Sequence, residues 1–462
     1  MKANVIVYNY SYMLDPKIAN IVSAELQDNC IVIFDECHNI DNVCIESFSI
    51  NIKNSILDAA NSQIKELDEK IKSVNQEFSE RLKDEVAKLA KDRPQGDKII
   101  QYQEELLAHP ILQQSVLKEA IPGTIRRAEH FLRFLRKVIK CIKDEMKDVQ
   151  QPKIFTPIEL LNKMQQEYYI DQRPLKHVRE RLTSLLNTLE IEKIDNFNAL
   201  GVIADFSTLL ATYYDGFSLI IEPYPEENQH AQRDPLLQFY CLDASIATKP
   251  IFDKFKNVIL TSGTISPIEI YPKILNFNPK VCRAFDIKLP RNAINPIIVT
   301  KGMDQLPMSS KFEERENSNN IRNYGNLIVE LSQTVPDGIV CFFTSYRYME
   351  YMIVQWSEMR ILQRVLENKL VFIETTDNLE TQLALENYKK ACDNGRGAVF
   401  FSIARGKVSE GVDFAGHYGR CVIVFGVPFQ NTMSRNLKAR MNFLKDNFNI
   451  RENDFLTFDA LR

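Results

Sequence analysis

Two adjacent acids close the apolar run Ile31-Val32-Ile33-Phe34-Asp35-Glu36-Cys37-His38. A continuous apolar run reads as a strand buried on both faces of a parallel sheet. Ligands bind at the carboxyl ends of such strands, so Asp35 stands where a Mg²⁺ on nucleotide phosphates would sit. Glu36, beside it, could orient and deprotonate an attacking water. His38 could relay the state of the nucleotide to a neighbouring segment. The competing reading is a solvated turn in which His38 caps the next helix.

Four further segments share this design. Val258-Ile259-Leu260 opens into Thr261-Ser262-Gly263-Thr264-Ile265-Ser266-Pro267, small hydroxyl residues around a glycine. Hydroxyls there can hydrogen-bond His38 or a phosphate, and Gly263 lets backbones approach closely. Gly338–Phe343 runs into Thr344-Ser345-Tyr346, groups suited to a sugar–phosphate backbone or to stacking on a base. The run Gly397–Ala404 leads into Arg405-Gly406-Lys407-Val408-Ser409-Glu410-Gly411-Val412-Asp413-Phe414, with two cations and a Gly-x-Asp turn. Val424-Phe425-Gly426-Val427-Pro428-Phe429 closes the last strand. Singly, each is more often a loop than a site.

The elements that must position these residues fall into three regions. Residues 4–50 read as strands, with Val5-Ile6-Val7-Tyr8 and Ile31–Phe34 as the apolar runs. Residues 51–225 read as long charged helices. Their first apolar stripe, Ile56, Ala60, Ile64, Leu67, Ile71, Val74, Phe78, Leu82, Val86 and Leu89, has a mean spacing of about 3.7. That spacing predicts a helix lying on a partner without heptad supercoiling, stopped by Arg93-Pro94-Gln95-Gly96. Further helices are expected over 102–119, 123–147, 157–168 and 176–190. The basic residues of helix 123–147, Arg126, Arg127, Arg133, Arg136, Lys137, Lys140 and Lys143, read as a solvated face, with an acidic partner or nucleic acid as the alternative. From about 216 onward strands return at 218–222, 238–241, 258–262, 297–300, 338–344, 370–374, 397–404 and 421–425, mostly separated by helices. Alternation of this kind predicts a doubly wound α/β architecture, interrupted by the helical segment. Pro223–Pro235 is the loop candidate.

The 462 residues suggest about three domains. With 61 acids against 57 Lys and Arg, the chain is no polycation, so nucleic-acid binding must come from local grooves. No stretch approaches the ~18 apolar residues of a membrane span, and the N-terminus does not read as a secretory signal. Nine scattered cysteines fit reduced thiols in a cytosolic or nuclear protein. Cys30, Cys37 and Cys44 recur every seven residues, but no CxxC pair exists, so buried thiols outweigh a metal site.

In order and text, a DExH-like box, TSGTxSP, FFTSY, ARGKxSEGxDF and FGVPF resemble the XPD helicase family, iron–sulfur helicases of superfamily 2. Connecting segments such as Leu14–Ala19, Ile321–Leu327 and Arg451–Ala460 extend the likeness over nearly the whole chain. Cys37 departs from the alanine usual there. The resemblance implies two RecA-like parallel-sheet motor domains, both incomplete. Residues 1–50 and 226–268 would form the first, 269–462 the second, and 51–225 a helical Arch inserted in the first. It implies an ATP-driven 5′-to-3′ DNA helicase of TFIIH, nuclear, acting in nucleotide excision repair and transcription initiation on single-stranded or forked DNA. Its cofactors would be ATP, Mg²⁺ and a 4Fe–4S cluster. Its partners would be a kinase-activating subcomplex on the Arch and a regulatory subunit on the second motor domain, with no membrane.

Carried onto this sequence, Asp35 and Glu36 are the hydrolysis pair, with Asp35 on Mg²⁺. His38, Ser262, Gly263 and Thr264 couple hydrolysis to motion. Gly411 and Asp413 line the nucleotide cleft, while Thr344, Ser345, Tyr346, Arg405 and Lys407 are DNA contacts. The family's phosphate loop and cluster cysteines precede the DExH box, and its arginine-finger segment would begin past Leu461-Arg462. No G-x-x-x-x-G-K-[ST] occurs in the chain. The expectation is therefore a fragment or incomplete gene model that alone is poorly soluble and neither hydrolyses ATP nor unwinds DNA. The alternative function is a non-catalytic TFIIH scaffold docking the kinase subcomplex through the Arch.

Overall fold

A computed structural model describes residues 4–24, 26–91, 127–147, 149–191, 194–223, 234–285 and 294–461. The chain forms two compact units, Met1–Lys280 with Met433–Glu452, and Val281–Thr432 with Asn453–Arg462. Both are α/β.

In the first unit, strand β1 (Ile31–Phe34) and a strand far along the chain, Asn257–Leu260, form a parallel pair. Phe34 is buried, while Ile31 and Ile33 are exposed, so only one face of β1 is covered by described residues. The expected strand at Val5–Tyr8 is irregular backbone, with Val5 and Val7 exposed. An extended run becomes a strand only beside another, and no described strand pairs with it.

A second sheet holds β2 (Ile50–Lys53), β3 (Lys153–Phe155), β4 (Phe217–Glu222) and β5 (Leu236–Cys241), in the order β2-β5-β4-β3. It is antiparallel throughout. The runs at 218–222 and 238–241 thus join a sheet of the helical region, not a parallel motor sheet as their alternation with helices suggested. A hairpin explains this: β4 and β5 follow one another and register Phe217 on Cys241 through Glu222 on Leu236. The strand Asn257–Leu260 is β6.

Helix Asn54–Lys91 packs against Ala128–Met146 and Asn198–Thr212. Its fully buried positions are Leu57, Ala60, Ile64, Leu67 and Ile71. The intervals alternate three and four, the narrow coiled-coil seam, where the sequence pattern opened on Ile56 and ran nearer 3.7. Further along, Val74 is half-buried and Phe78 exposed among the described residues. Gln63 clamps the third helix at both termini of its amide, donating to the Asn196 carbonyl at 2.7 Å and accepting from Leu200 N–H at 2.8 Å. Among the basic residues of 128–146, Arg136 meets Asp68 at 3.4 Å and Lys143 meets Asp58 at 2.7 Å. These charges tie helix to helix. Pro157–Tyr168 forms as expected, with Thr156 accepting from Glu159 N–H at 3.3 Å as its N-cap. The helix expected at 102–119, and the stop at Arg93–Gly96, lie outside the described residues.

Helix Arg435–Phe448 belongs to this first unit, although the sequence order placed it after the last strand of the second. The guanidinium of Arg440 explains its position. It meets Asp41 at 2.5 Å and Asn42 at 2.9 Å, with Arg440 and Asp41 both buried.

The second unit carries β7 (Gly338–Phe343), β8 (Leu370–Ile373), β9 (Ala398–Ile403) and β10 (Cys421–Phe425), all parallel in the order β10-β7-β9-β8. Alternate residues of β7 face two cores. Ile339, Cys341 and Phe343 pack with Trp356 and Phe401, and Val340 packs with Tyr388 and Phe400. Burial on both faces is the doubly wound pattern that continuous apolar runs predict. Residues 297–300 form no strand. Ile297 and Ile298 are exposed, and only an isolated bridge, Lys301 to Pro307, lies nearby.

Candidate active site

The carboxyl ends of β1 and β6 are adjacent because the strands register Phe34 on Leu260. The pairing continues one step beyond each strand: Thr261 N–H donates to the Phe34 carbonyl, and Cys37 N–H to the Thr261 carbonyl, both at 3.0 Å. Between them the backbone turns sharply at Glu36, which adopts the left-handed conformation at φ 51°. A non-glycine residue there is strained, and strain of this kind is held where surrounding bonds over-determine it. The turn directs Asp35 and Glu36 to solvent and buries Cys37 completely. Burial pushes the Cys37 thiol up to about 12, so it stays neutral beside the two acids.

One hydroxyl organises the rest. Ser262 Oγ donates to Glu36 Oε2 at 2.7 Å, lies 3.0 Å from His38 Nδ1, and accepts from Thr264 N–H at 3.2 Å. With its single proton committed to the carboxylate, Ser262 must accept from His38, which places a proton on Nδ1. His38 Nδ1 is also 3.3 Å from Glu36 Oε2. The Ser262 hydroxyl, then the His38 charge and the Gly263 N–H, hold the Glu36 carboxyl below the usual range against a modest desolvation. Tyr271, almost fully buried, donates to the His38 carbonyl at 3.0 Å. Among the described residues Asp35 Oδ1 accepts a local bond from Glu36 N–H at 3.1 Å, and its carbonyl accepts from the Tyr10 hydroxyl. Asp35, Glu36, His38, Ser262, Gly263 and Thr264 are thus one cluster, and the solvated-turn reading of His38 does not hold.

In the second unit Ser345 is an exposed N-cap, accepting from Tyr348 N–H at 3.2 Å. Thr344 Oγ1 is buried with no partner among the described residues. Tyr346 and Lys407 reach different partners. The Tyr346 hydroxyl donates to Glu374 at 2.8 Å, and Lys407 Nζ meets the Thr376 carbonyl at 3.3 Å and the Asn378 side chain. Arg405 is turned inward, bonding Asp459 through its carboxylate at 2.8 Å and its carbonyl at 2.6 Å. Gly411, the last residue of the short helix Lys407–Gly411, and Asp413 just after it are both exposed. Glu374, Asp459, Tyr271 and the Asp41–Arg440 pair were not singled out by sequence. For Glu374 the signal existed: Leu370-Val371-Phe372-Ile373-Glu374 is an apolar strand ending in an acid, like Ile31–Asp35.

Among the described residues no group of three or more His, Cys, Asp or Glu gathers to hold a metal, and Cys37 and Cys44 are buried singly. The thiols present do not fit a 4Fe–4S cluster. No helix among the described residues is long and apolar enough to cross a membrane.

Comparison with known proteins matches three stretches of the chain to family models. Residues 1–57 match the DEAD_2 family, 70–216 the Helical and beta-bridge domain, and 328–462 the Helicase C-terminal domain. The XPD helicase subunit of general transcription and DNA repair factor IIH from Dictyostelium discoideum is 48% identical over 460 residues, 100% of this chain and 59% of that protein. Its counterpart from Schizosaccharomyces pombe is 50% identical over 459 residues, 99% of this chain and 59% of that protein. This chain belongs to the XPD helicase family. It spans a little under 60% of the length of those XPD relatives, 59% in each. The solved structure of S. tokodaii Xpd4 aligns with a TM-score of 0.50 at 13% identity, covering 98% of this chain and 71% of that one, which supports the fold alone.

Proposed function

We propose that the protein carrying this XPD-family sequence is an ATP-dependent 5′-to-3′ DNA helicase subunit of TFIIH, nuclear, acting in nucleotide excision repair and transcription initiation. The observation that carries the reading is the Glu36–Ser262–His38 cluster, which links a solvent-facing pair of acids on β1 to the segment after β6. Asp35 would hold Mg²⁺–ATP, the ion neutralising charge on the phosphates. Glu36 is the general base, kept ionised by Ser262 and oriented by it. A change in what Glu36 contacts would reach His38 and the 261–264 turn through Ser262, which is the coupling role assigned to His38, Ser262, Gly263 and Thr264.

The proposed domains are a first motor of 1–50 with 226–268, less β5, which joins the sheet of the helical region; an Arch of 51–225; and a second motor of 269–462, less 269–280 and 433–452, which belong to the first unit. Gly411 and Asp413 are proposed at the nucleotide, and Thr344, Ser345, Tyr346 and Lys407 at single-stranded or forked DNA. Arg405 belongs to this set through the loop it anchors. The Arch is proposed to carry the kinase-activating subcomplex, and the second motor another TFIIH subunit.

The test is Glu36→Gln in the complete protein carrying this sequence. Removing the base while sparing Asp35 should leave ATP binding intact and lower turnover about 10²-fold or more. Unimpaired turnover in Glu36→Gln would refute the assignment.

A further inference from the structure

Glu374 directly follows β8 at the carboxyl edge of the second unit's parallel sheet, and only 1% of it is exposed. Both of its oxygens are acceptors. Oε1 takes the Tyr346 hydroxyl at 2.8 Å, while Oε2 takes the Ser402 hydroxyl at 2.6 Å and Ile403 N–H at 3.1 Å. Buried polar groups persist when so satisfied, and bonds to a carboxylate are the stronger kind. The loop after β9 lies directly on this group: a Cβ at Gly406 would sit 2.7 and 2.9 Å from the two oxygens. The residues following Glu374 reach the same loop from outside, since Lys407 Nζ meets the Thr376 carbonyl at 3.3 Å and Asn378. One side chain therefore joins the ends of β7, β8 and β9. The segments it joins carry Ser345, Tyr346 and Lys407.

We propose that Glu374 is a positioning residue for nucleic-acid binding, fixing Tyr346 and the Ala404–Lys407 turn as one surface against a sugar–phosphate backbone. The proposal rests on the DNA-binding reading above. Rotating or losing the carboxylate frees the phenol and the loop separately, so the surface must be ordered by the ligand at its own expense. An isosteric glutamine serves less well: its NH₂ can face only the Tyr346 hydroxyl, which must then accept instead of donate, and the charge-assisted bonds are lost.

The experiment measures binding of a fluorescent oligothymidylate to the complete protein across a salt series, with thermal midpoints for every variant. Glu374→Gln should bind about ten- to a hundred-fold more weakly. Its salt slope should match the parent, since no phosphate contact is removed. Tyr346→Phe should also weaken binding, and the double variant should be no weaker than the poorer single one, because both break the same link. Ser402→Ala is the second route. Ser402 is fully buried and out of reach of DNA, yet it restrains the same carboxyl group, so its loss should weaken binding by a smaller factor. If Glu374→Gln does not accumulate folded, Ser402→Ala and Tyr346→Phe decide. Parental affinity in folded Glu374→Gln or in Ser402→Ala, or fully additive losses in the double variant, overturns the proposal. A parent protein that binds no oligothymidylate overturns the DNA reading instead.

Discussion

Arg440→Met removes a guanidinium from helix Arg435–Phe448 and keeps most of its apolar stem. In the native unit that group lies 2.5 Å from Asp41 and 2.9 Å from Asn42, with Arg440 2% and Asp41 1% exposed. Breaking a buried pair from one side costs ~3–5 kcal/mol, because the remaining charge stays out of water without its counter-ion. Undocking the helix relieves that cost by opening Asp41 to solvent, so the penalty falls on the docked state. At 1.4 kcal/mol per factor of ten, amides of residues 438–448 should exchange about 10² to 10³·⁵ times faster. Hydrogen exchange by mass spectrometry on the complete protein reads this directly. Strand β9 of the other unit, buried along its whole length, is the internal reference. Asp41→Leu with Arg440→Met removes both charges and should restore most of the protection, since an apolar pair of similar volume is often no less stable. Less than a ten-fold change on Arg440→Met alone would show that the ion pair does not hold the helix.

Two other outcomes follow from the same geometry. Ser262→Ala removes the first of the groups that depress the Glu36 pKa. Loss of a bond to the charged form raises that pKa, so the acidic limb of ATP turnover should move to higher pH; a lower plateau with an unmoved limb would argue against it. Leu135→Ala empties a fully buried position on helix Ala128–Met146 and should destabilise the helical region by ~2–5 kcal/mol. Leu379→Ala, at a site 73% exposed, should change stability by no more than about 0.5 kcal/mol. Calorimetric melting that shows equal shifts for the two would contradict the packing described.

What the sequence made legible was whatever depends on neighbours along the chain. Ile31–Phe34 and Cys421–Phe425 are strands, as their apolar runs predict, although only one face of each is covered by described residues, and the acids or glycines after them mark the sheet edge. The start of Pro157–Tyr168 is equally local, set by Thr156 and Pro157. What escaped depends on partners. Val5–Tyr8 and Ile297–Thr300 have strand-like composition but no described strand beside them, and β-propensity without pairing leaves a backbone unsatisfied. The β4–β5 hairpin has the residues of a buried parallel strand and the pairing of an antiparallel one, because periodicity reports faces and is silent on direction.

The same limit governs the functional cluster. Glu36 and Ser262 are 226 residues apart, and Asp41 and Arg440 are 399 apart. Order along the chain predicted the first pair only because both residues end parallel strands, and parallel strand ends must lie on one edge. Arg440 sits mid-helix among charged residues, where a solvated face is the default, and nothing in Arg435–Phe448 distinguishes the buried cation from Lys438 or Lys445. Glu374 lies between these cases. Its strand-end position was readable, but its role was not, since an acid after a strand faces solvent at Asp35 and the interior at Glu374. The difference is made by the donors that converge on it, Tyr346 from β7 and Ser402 with Ile403 from β9. An inward acid at a sheet edge must collect donors from the segments around it, here β9 beside β8 and the helix that follows β7, whereas an outward acid is free for a ligand. That distinction separates the residue proposed to hold the surface from the one proposed to do the chemistry.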